Sequence, residues 1–136
     1  MSAQEQLPAY IRERGPMQLP VRRLHFASDI AMLKREPGWT HGNRLARTLV
    51  KQGPLAVVLS LMKAGASTQE HRAEGPITLQ CLEGKLRLHA GGHPLDLVAG
   101  EMVVFDGGIP HRHAALTDCA VLLTMTQASA EGEQHA

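Results

Sequence analysis

Alternating apolar and polar positions follow one another in short runs over most of the chain. The first clear run begins at Arg44, and a second from Leu55 to Met62 is apolar on both of its faces. Later runs are separated by glycine- or proline-containing turns such as Glu83-Gly84-Lys85 and Asp106-Gly107-Gly108-Ile109-Pro110. Short alternating strands at regular intervals are typical of an all-β sandwich or barrel. The pattern therefore predicts an all-β fold.

The N-terminal part has a different pattern. Residues 1–20 have no sustained periodicity and are interpreted as an arm, with a short helical turn near 10–14. Residues 21–26 alternate imperfectly and predict a first strand, and Ser28-Asp29 predicts the start of a short helix that Pro37-Gly38 ends. We expect residues 21–126 to form one domain and residues 127–136 to form a polar tail.

Size and charge narrow the possible classes of protein. The chain has 136 residues, which suits a single domain, and a formal net charge of +1. A balanced charge gives no reason to expect a nucleic-acid partner, and no run of the sequence reaches transmembrane length. Its two cysteines stand far apart, which excludes a cysteine-rich zinc site. A cytoplasmic protein without a membrane or nucleic-acid partner is the expectation.

The run from Leu55 to Met62 also bears on assembly. A strand that is apolar on both faces needs cover on both. The N-terminal segment or a second subunit could supply it. We expect a homodimer, because an edge strand that is apolar on both faces needs to be covered.

Two histidine-containing segments resemble the motifs of the cupin superfamily, which consists of small jelly-roll barrels. In the first segment, Gly65, His71 and Gly84 stand at the positions of the motif's first glycine, first histidine and last glycine. Ala73 replaces the second histidine, and Ile77 or Thr78 replaces the glutamate. This first motif is therefore reduced.

The second motif is better preserved. Gly100, Gly108 and His111 match it, whereas Asp106 replaces its proline and Ala115 replaces its asparagine. The resemblance spans about residues 44–126 and implies a cupin-type double-stranded β-helix with a short helix added at the N-terminus.

The resemblance also implies a candidate site. Cupins use two histidines and a glutamate of the first motif and one histidine of the second as metal ligands, and this chain keeps His71 and His111. Strand parity places His113 on the same face as His111, so that three imidazoles could hold one divalent metal ion (Zn, Fe, Mn, Ni or Cu). Alternatively, His113 turns outward and His71 and His111 remain as a metal-free pair in a small polar cavity.

Two functions follow from these alternatives. The first is a small-molecule binding protein whose ligand lies near His71 and His111. The second is a metal-dependent enzyme, an oxygenase or isomerase, using His71, His111 and His113. In either case the barrel interior is expected to line the ligand site, with Ile77, Leu79, Cys81, Leu88, Val103 and Phe105 as its residues.

Trp39 belongs to the long connection before the first clear strand. It either packs on the outside of the barrel or forms a lid over the barrel's mouth.

Overall fold

The computed structural model describes residues 21–126. The predicted arm over 1–20 and the predicted tail over 127–136 lie outside these residues. The helices and strands are α1 Phe26–Leu33, α2 Pro37–Thr40, β1 Arg44–Gln52, β2 Leu55–Met62, β3 Ile77–Glu83, β4 Lys85–Ala90, β5 His93–Val98, β6 Met102–Phe105, β7 His111–Ala115 and β8 Cys119–Thr126.

The eight strands form two antiparallel sheets. The larger sheet has the order β1-β2-β8-β3-β6, and the smaller one has the order β5-β4-β7. Residues 65–71 run antiparallel beside β7 and extend the smaller sheet without forming a regular strand. Their backbone N–H groups at Gly65 and Thr68 donate to the carbonyls of Ala115 and His113, each at 2.9 Å. The all-β expectation is confirmed as a two-sheet arrangement of antiparallel strands.

One apolar cluster occupies part of the space between the two sheets. Every second residue of β3 points into it, and Leu79 and Cys81 are fully buried there. Leu86 and Leu88 of β4 reach the same cluster from the smaller sheet. Alternation with period two therefore places the two inner faces against each other, as expected for a sandwich of half-buried strands.

Strand β2 lies between β1 and β8, so it is not an edge strand. On one face, Leu59 and Leu61 pack with Ile30 and Leu33 of helix α1. On its other face, Met62 joins the cluster between the sheets. The cover that the sequence required thus comes from the N-terminal helix. The edge-strand premise of the homodimer expectation is wrong, and the homodimer itself stays a prediction.

The predicted strand over residues 21–26 is wrong. Residues 22–25 have no regular structure, and Phe26 already begins α1. The reason lies in the cap, because the imidazole Nδ1 of His25 accepts a hydrogen bond from the backbone N–H of Ser28 at 3.3 Å. A ring nitrogen fulfils here the role that a short oxygen-bearing side chain usually has, so the helix starts before the predicted Ser28-Asp29.

Trp39 lies in the short helix α2, within the connection that precedes β1, and is 9% exposed. It packs in the cluster between α1 and the outer face of the larger sheet, with Leu49 as one neighbour. The lid prediction for Trp39 is therefore wrong, because its ring is part of the core on the outside of the sheet. Among residues 21–126, no helix has the length and apolar character needed to cross a membrane.

Candidate functional site

His71 and His111 are paired directly across two antiparallel segments. The backbone N–H of each donates to the carbonyl of the other, both at 2.9 Å. The two imidazole centroids are 4.1 Å apart, with 62° between the ring planes. Phe105 of β6 stands on the other side of His111, with its centroid 4.9 Å from that ring. The structure thus brings together the two histidines on which the sequence-based site depends.

The backbone also fixes the orientation of both rings. Nδ1 of His71 donates to the carbonyl of Gln69 at 3.0 Å, and Nδ1 of His111 donates to the carbonyl of Ile109 at 3.1 Å. A carbonyl can only accept, so each Nδ1 carries its proton. In a neutral ring Nε2 then holds the lone pair. Burial lowers the pKa of His111, which keeps this ring in the neutral form.

His113 lies on the same face of β7 as His111, because the intervening Arg112 points outward and is exposed. The alternative in which His113 turns outward is wrong, since its side chain is only 2% exposed. Among residues 21–126, neither ring nitrogen of His113 has a hydrogen-bond partner, and Nε2 of His111 has none either. Burial lowers the pKa of His113 to about 4, and the positive forms of His71 and His111 act in the same direction.

A cavity of about 350 Å³ lies beside these histidines, between the inner faces of the two sheets. Val58 and Ser60 of β2 and Leu123 of β8 belong to the larger sheet, and Leu123 is the cross-strand partner of Val58. His71 and His113 face them from the smaller sheet. The complete lining among residues 21–126 is Arg44, Leu45, Ala46, Val58, Ser60, Thr68, His71, His113 and Leu123.

Sequence analysis identified only the two histidines of this lining. Ser60 belongs to a strand with apolar residues on both faces, so nothing in the pattern shows that its face borders a void. Arg44 begins the pattern of a strand, and Thr68 precedes that of another. The one available signal was a single polar residue, Ser60, within the apolar run of β2.

The apolar residues predicted to line the ligand site belong instead to the packed core. Leu79, Cys81 and Leu88 are at most 1% exposed, as is Ile77. Phe105 is partly buried and contacts His111. None of these five side chains lines the cavity beside His71. They pack there because the inner faces of β3 and β6, in the larger sheet, lie against that of β4 in the smaller sheet.

Arg44 contributes a positive charge to the cavity lining. A guanidinium N–H of Arg44 donates to the carbonyl of Ser67 at 2.8 Å, which holds the side chain beside the segment that carries Thr68 and His71. The proximity of this cation contributes to the lowered pKa of His113. Among residues 21–126, the cavity lining contains no Asp or Glu.

The fit of these residues to a metal ion can be tested on their geometry. One requirement of a metal site, fixed orientation of its histidines, is met by His71 and His111. A carbonyl holds Nδ1 of each ring, and such bonds orient metal-ligating histidines. The ligand number is not met, because no three His, Cys, Asp or Glu side chains of residues 21–126 are grouped closely enough to hold an ion. As arranged here, His71, His111 and His113 do not form a three-ligand metal site.

Both cysteines are buried and free. Burial raises the pKa of Cys119 to about 12, and burial also raises the pKa of Cys81. A thiol that stays protonated is a poor nucleophile, so neither cysteine is suited to covalent catalysis.

Comparison with solved structures supports the same architecture. A cupin superfamily protein from Desulfitobacterium hafniense aligns with a TM-score of 0.65 and 19% identity over 84% of this chain and 99% of its own. A conserved protein of unknown function from Streptococcus pyogenes aligns with a TM-score of 0.60 and 24% identity, covering 64% of this chain and 76% of its own.

An enzyme is also among the similar structures. Salicylate 1,2-dioxygenase from Pseudoaminobacter salicylatoxidans aligns with a TM-score of 0.63 and 17% identity, covering 76% of this chain and 32% of its own. At these identities the similarities establish the fold alone. No curated protein sequence matches this chain significantly. A family model described as "Cupin domain" matches residues 58–126, just over half of the chain, and the chain therefore belongs to the cupin family.

Proposed function

We propose that this cupin binds a small molecule in the cavity between its two sheets, beside His71 and His111. The observation that supports this most directly is His113, which lines the cavity and has two buried ring nitrogens without a partner in the described part of the chain. Leaving a buried polar group unpaired costs about 1–3 kcal/mol. A ligand that bonds to the ring recovers part of that free energy, and this favours occupation of the cavity.

The size and lining of the cavity fit a small, partly apolar ligand. Its volume of about 350 Å³ is near the lower end of the range for ligand pockets. Val58 and Leu123 supply apolar contacts, while Ser60, Thr68 and His113 supply polar ones from different sides. A few convergent polar groups in an apolar cavity are the usual composition of a binding site.

The test is a thermal-shift screen of a small-molecule library against the wild type and His113→Phe. We expect compounds that raise the melting temperature of the wild type and lose this effect in His113→Phe. His93→Phe, in the exposed hairpin between β4 and β5, is the matched control and should respond like the wild type. A second variant, Ser60→Leu, fills the cavity from the opposite sheet and should also abolish the shift. Equal shifts in all four proteins would exclude this cavity as the binding site.

A metal-dependent oxygenase or isomerase is the second candidate. It is favoured by the carbonyl-held Nδ1 atoms, which direct the lone pairs of His71 and His111 to Nε2. The measurement is elemental analysis of untagged protein purified without chelator, compared with the double variant His71→Ala, His111→Ala. Near-stoichiometric metal that disappears in the variant would favour the enzyme. If His113→Ala leaves that metal content unchanged, His113 is not a ligand.

A further inference from the structure

We infer that Arg44 selects the ligand of this cavity, and that the ligand is a small organic monocarboxylate with an apolar body. This inference rests on the proposed binding function and specifies its chemistry. It depends on three features of the described residues: the position of Arg44, the charge of the lining and the distribution of its apolar side chains.

Arg44 is placed so that part of its guanidinium stays available. The bond to the Ser67 carbonyl at 2.8 Å uses one N–H, and a guanidinium has five. Ser67 is itself paired with Ala114 of β7 by an isolated bridge, so the carbonyl that holds Arg44 belongs to the smaller sheet. No Asp or Glu among residues 21–126 forms an ion pair with Arg44. The remaining N–H groups can therefore form the paired bonds that a carboxylate accepts.

The charge of the lining favours a single negative charge. Arg44 is the one Lys or Arg among the described lining residues, and no acidic residue compensates it there. One cation with neutral hydroxyl and imidazole neighbours matches a monoanion. Arg44 is exposed to solvent at the edge of the cavity, and a dianionic phosphate would find no second Lys or Arg among the described lining residues.

The apolar side chains determine where the rest of the ligand lies. Val58 and Leu123 line the cavity together with Arg44 and are contributed by two adjacent strands of the larger sheet, β2 and β8. A carboxylate bound at Arg44 has its carbon skeleton beside these side chains. The Thr68 hydroxyl already accepts from the backbone N–H of His113 at 3.0 Å, so the ring nitrogens of His113 remain for a hydroxyl or carbonyl substituent of the ligand.

The experiment compares acids with their matched amides. The ligands are titrated at up to millimolar concentration into ¹⁵N-labelled full-length protein, and binding is followed by NMR through the backbone amide signals of the residues that line the cavity. They are benzoate and benzamide, hexanoate and hexanamide, and inorganic phosphate. The proteins are the wild type, Arg44→Gln and Arg112→Gln. Arg112 is the matched control, since it precedes His113 but points to the outer face of β7, and its replacement removes the same charge.

Support for the inference requires that an acid binds more tightly than its amide in the wild type and in Arg112→Gln. In Arg44→Gln the acid should bind about tenfold more weakly while the amide is unaffected, because a charged hydrogen bond is worth at least one such factor. Equal binding of acid and amide, unchanged by Arg44→Gln, overturns the role of Arg44 and leaves ligand binding in the cavity intact. Preferential binding of phosphate, or no binding of either acid, overturns the assignment of a monocarboxylate. The library screen separates these results from failure of the binding function, because that screen contains neutral compounds as well.

Discussion

His113 should make the stability of this protein decrease as the pH falls below neutral. Its pKa is about 4 in the folded protein, against an ordinary value of 6.5. Between these two values the unfolded chain binds more protons than the folded chain, so stability is lost as the pH falls through 6.5 and levels off below about 4. Each unit of pKa difference corresponds to about 1.4 kcal/mol. The expected loss is about 2 kcal/mol between pH 7 and pH 5, and about 3 kcal/mol once both states are protonated.

The assay is equilibrium unfolding in urea at a series of pH values between about 4 and 8, with the wild type and His113→Gln. Glutamine cannot take up a proton in this range, so the variant should lose most of the pH dependence whatever its absolute stability. A weaker dependence will remain, because the pKa of His111 is also lowered by burial. His93→Gln, an exposed substitution in the hairpin between β4 and β5, should keep the wild-type profile.

The slope with pH is the informative quantity in this experiment. If the wild type and His113→Gln lose stability in parallel between pH 7 and pH 5, the imidazole of His113 is hydrated or has a partner. In that case the buried, unpartnered ring on which the proposed ligand site depends would be incorrect.

Four further substitutions, one of them a control, test the fold that positions the site, each by urea unfolding at neutral pH. Gly84→Ala should cost well over 2 kcal/mol or prevent folding, because a Cβ there would lie 2.1 Å from the carbonyl oxygen of Asp118. The control, Gly92→Ala, is also at positive φ but has open space around it and should cost about 1–2 kcal/mol. Equal losses of stability in the two variants would contradict the close approach at Gly84. Leu59→Ala should cost about 2–5 kcal/mol, since this side chain is fully buried between β2 and α1, and a loss below about 1 kcal/mol would mean that α1 does not cover this face. His25→Ala should cost about 0.5–1 kcal/mol by removing the cap of α1, and an unchanged midpoint would show that the ring does not act as the cap.

The strands of this protein could be predicted because each hairpin has its own local signal. Alternation gave the inner faces of β3 and β4, and Gly84, with φ at 78°, marked the turn between them. The two histidines were identifiable because their spacing from glycine turns resembles a known motif. The antiparallel pairing of His71 with His111 then follows from the sheet itself.

The cavity could not be predicted in the same way, because its lining depends on which faces of distant strands leave a gap. Arg44 and Ser60 are separated from His113 by more than fifty residues in the chain, and no local pattern connects them. Apolar side chains such as Leu79 were expected to line the ligand site for a related reason. Alternation in a sequence shows that a side chain points inward, but it does not show whether that side chain packs tightly against the opposite sheet. The start of α1 was missed because histidine is an uncommon cap.

The carbonyls that hold His71 and His111 have a consequence for how this site can change over evolutionary time. Each Nδ1 is held by the main chain two residues earlier, at Gln69 and at Ile109, and not by a side chain. Every amino acid supplies such a carbonyl, so replacements at these two positions that keep the backbone in place leave both rings oriented as they are. The orientation of the two imidazoles is thus set by the main chain and not by neighbouring side chains. Residues around them, such as Arg44 or Thr68, can be exchanged to accept a different ligand without rebuilding the histidine pair.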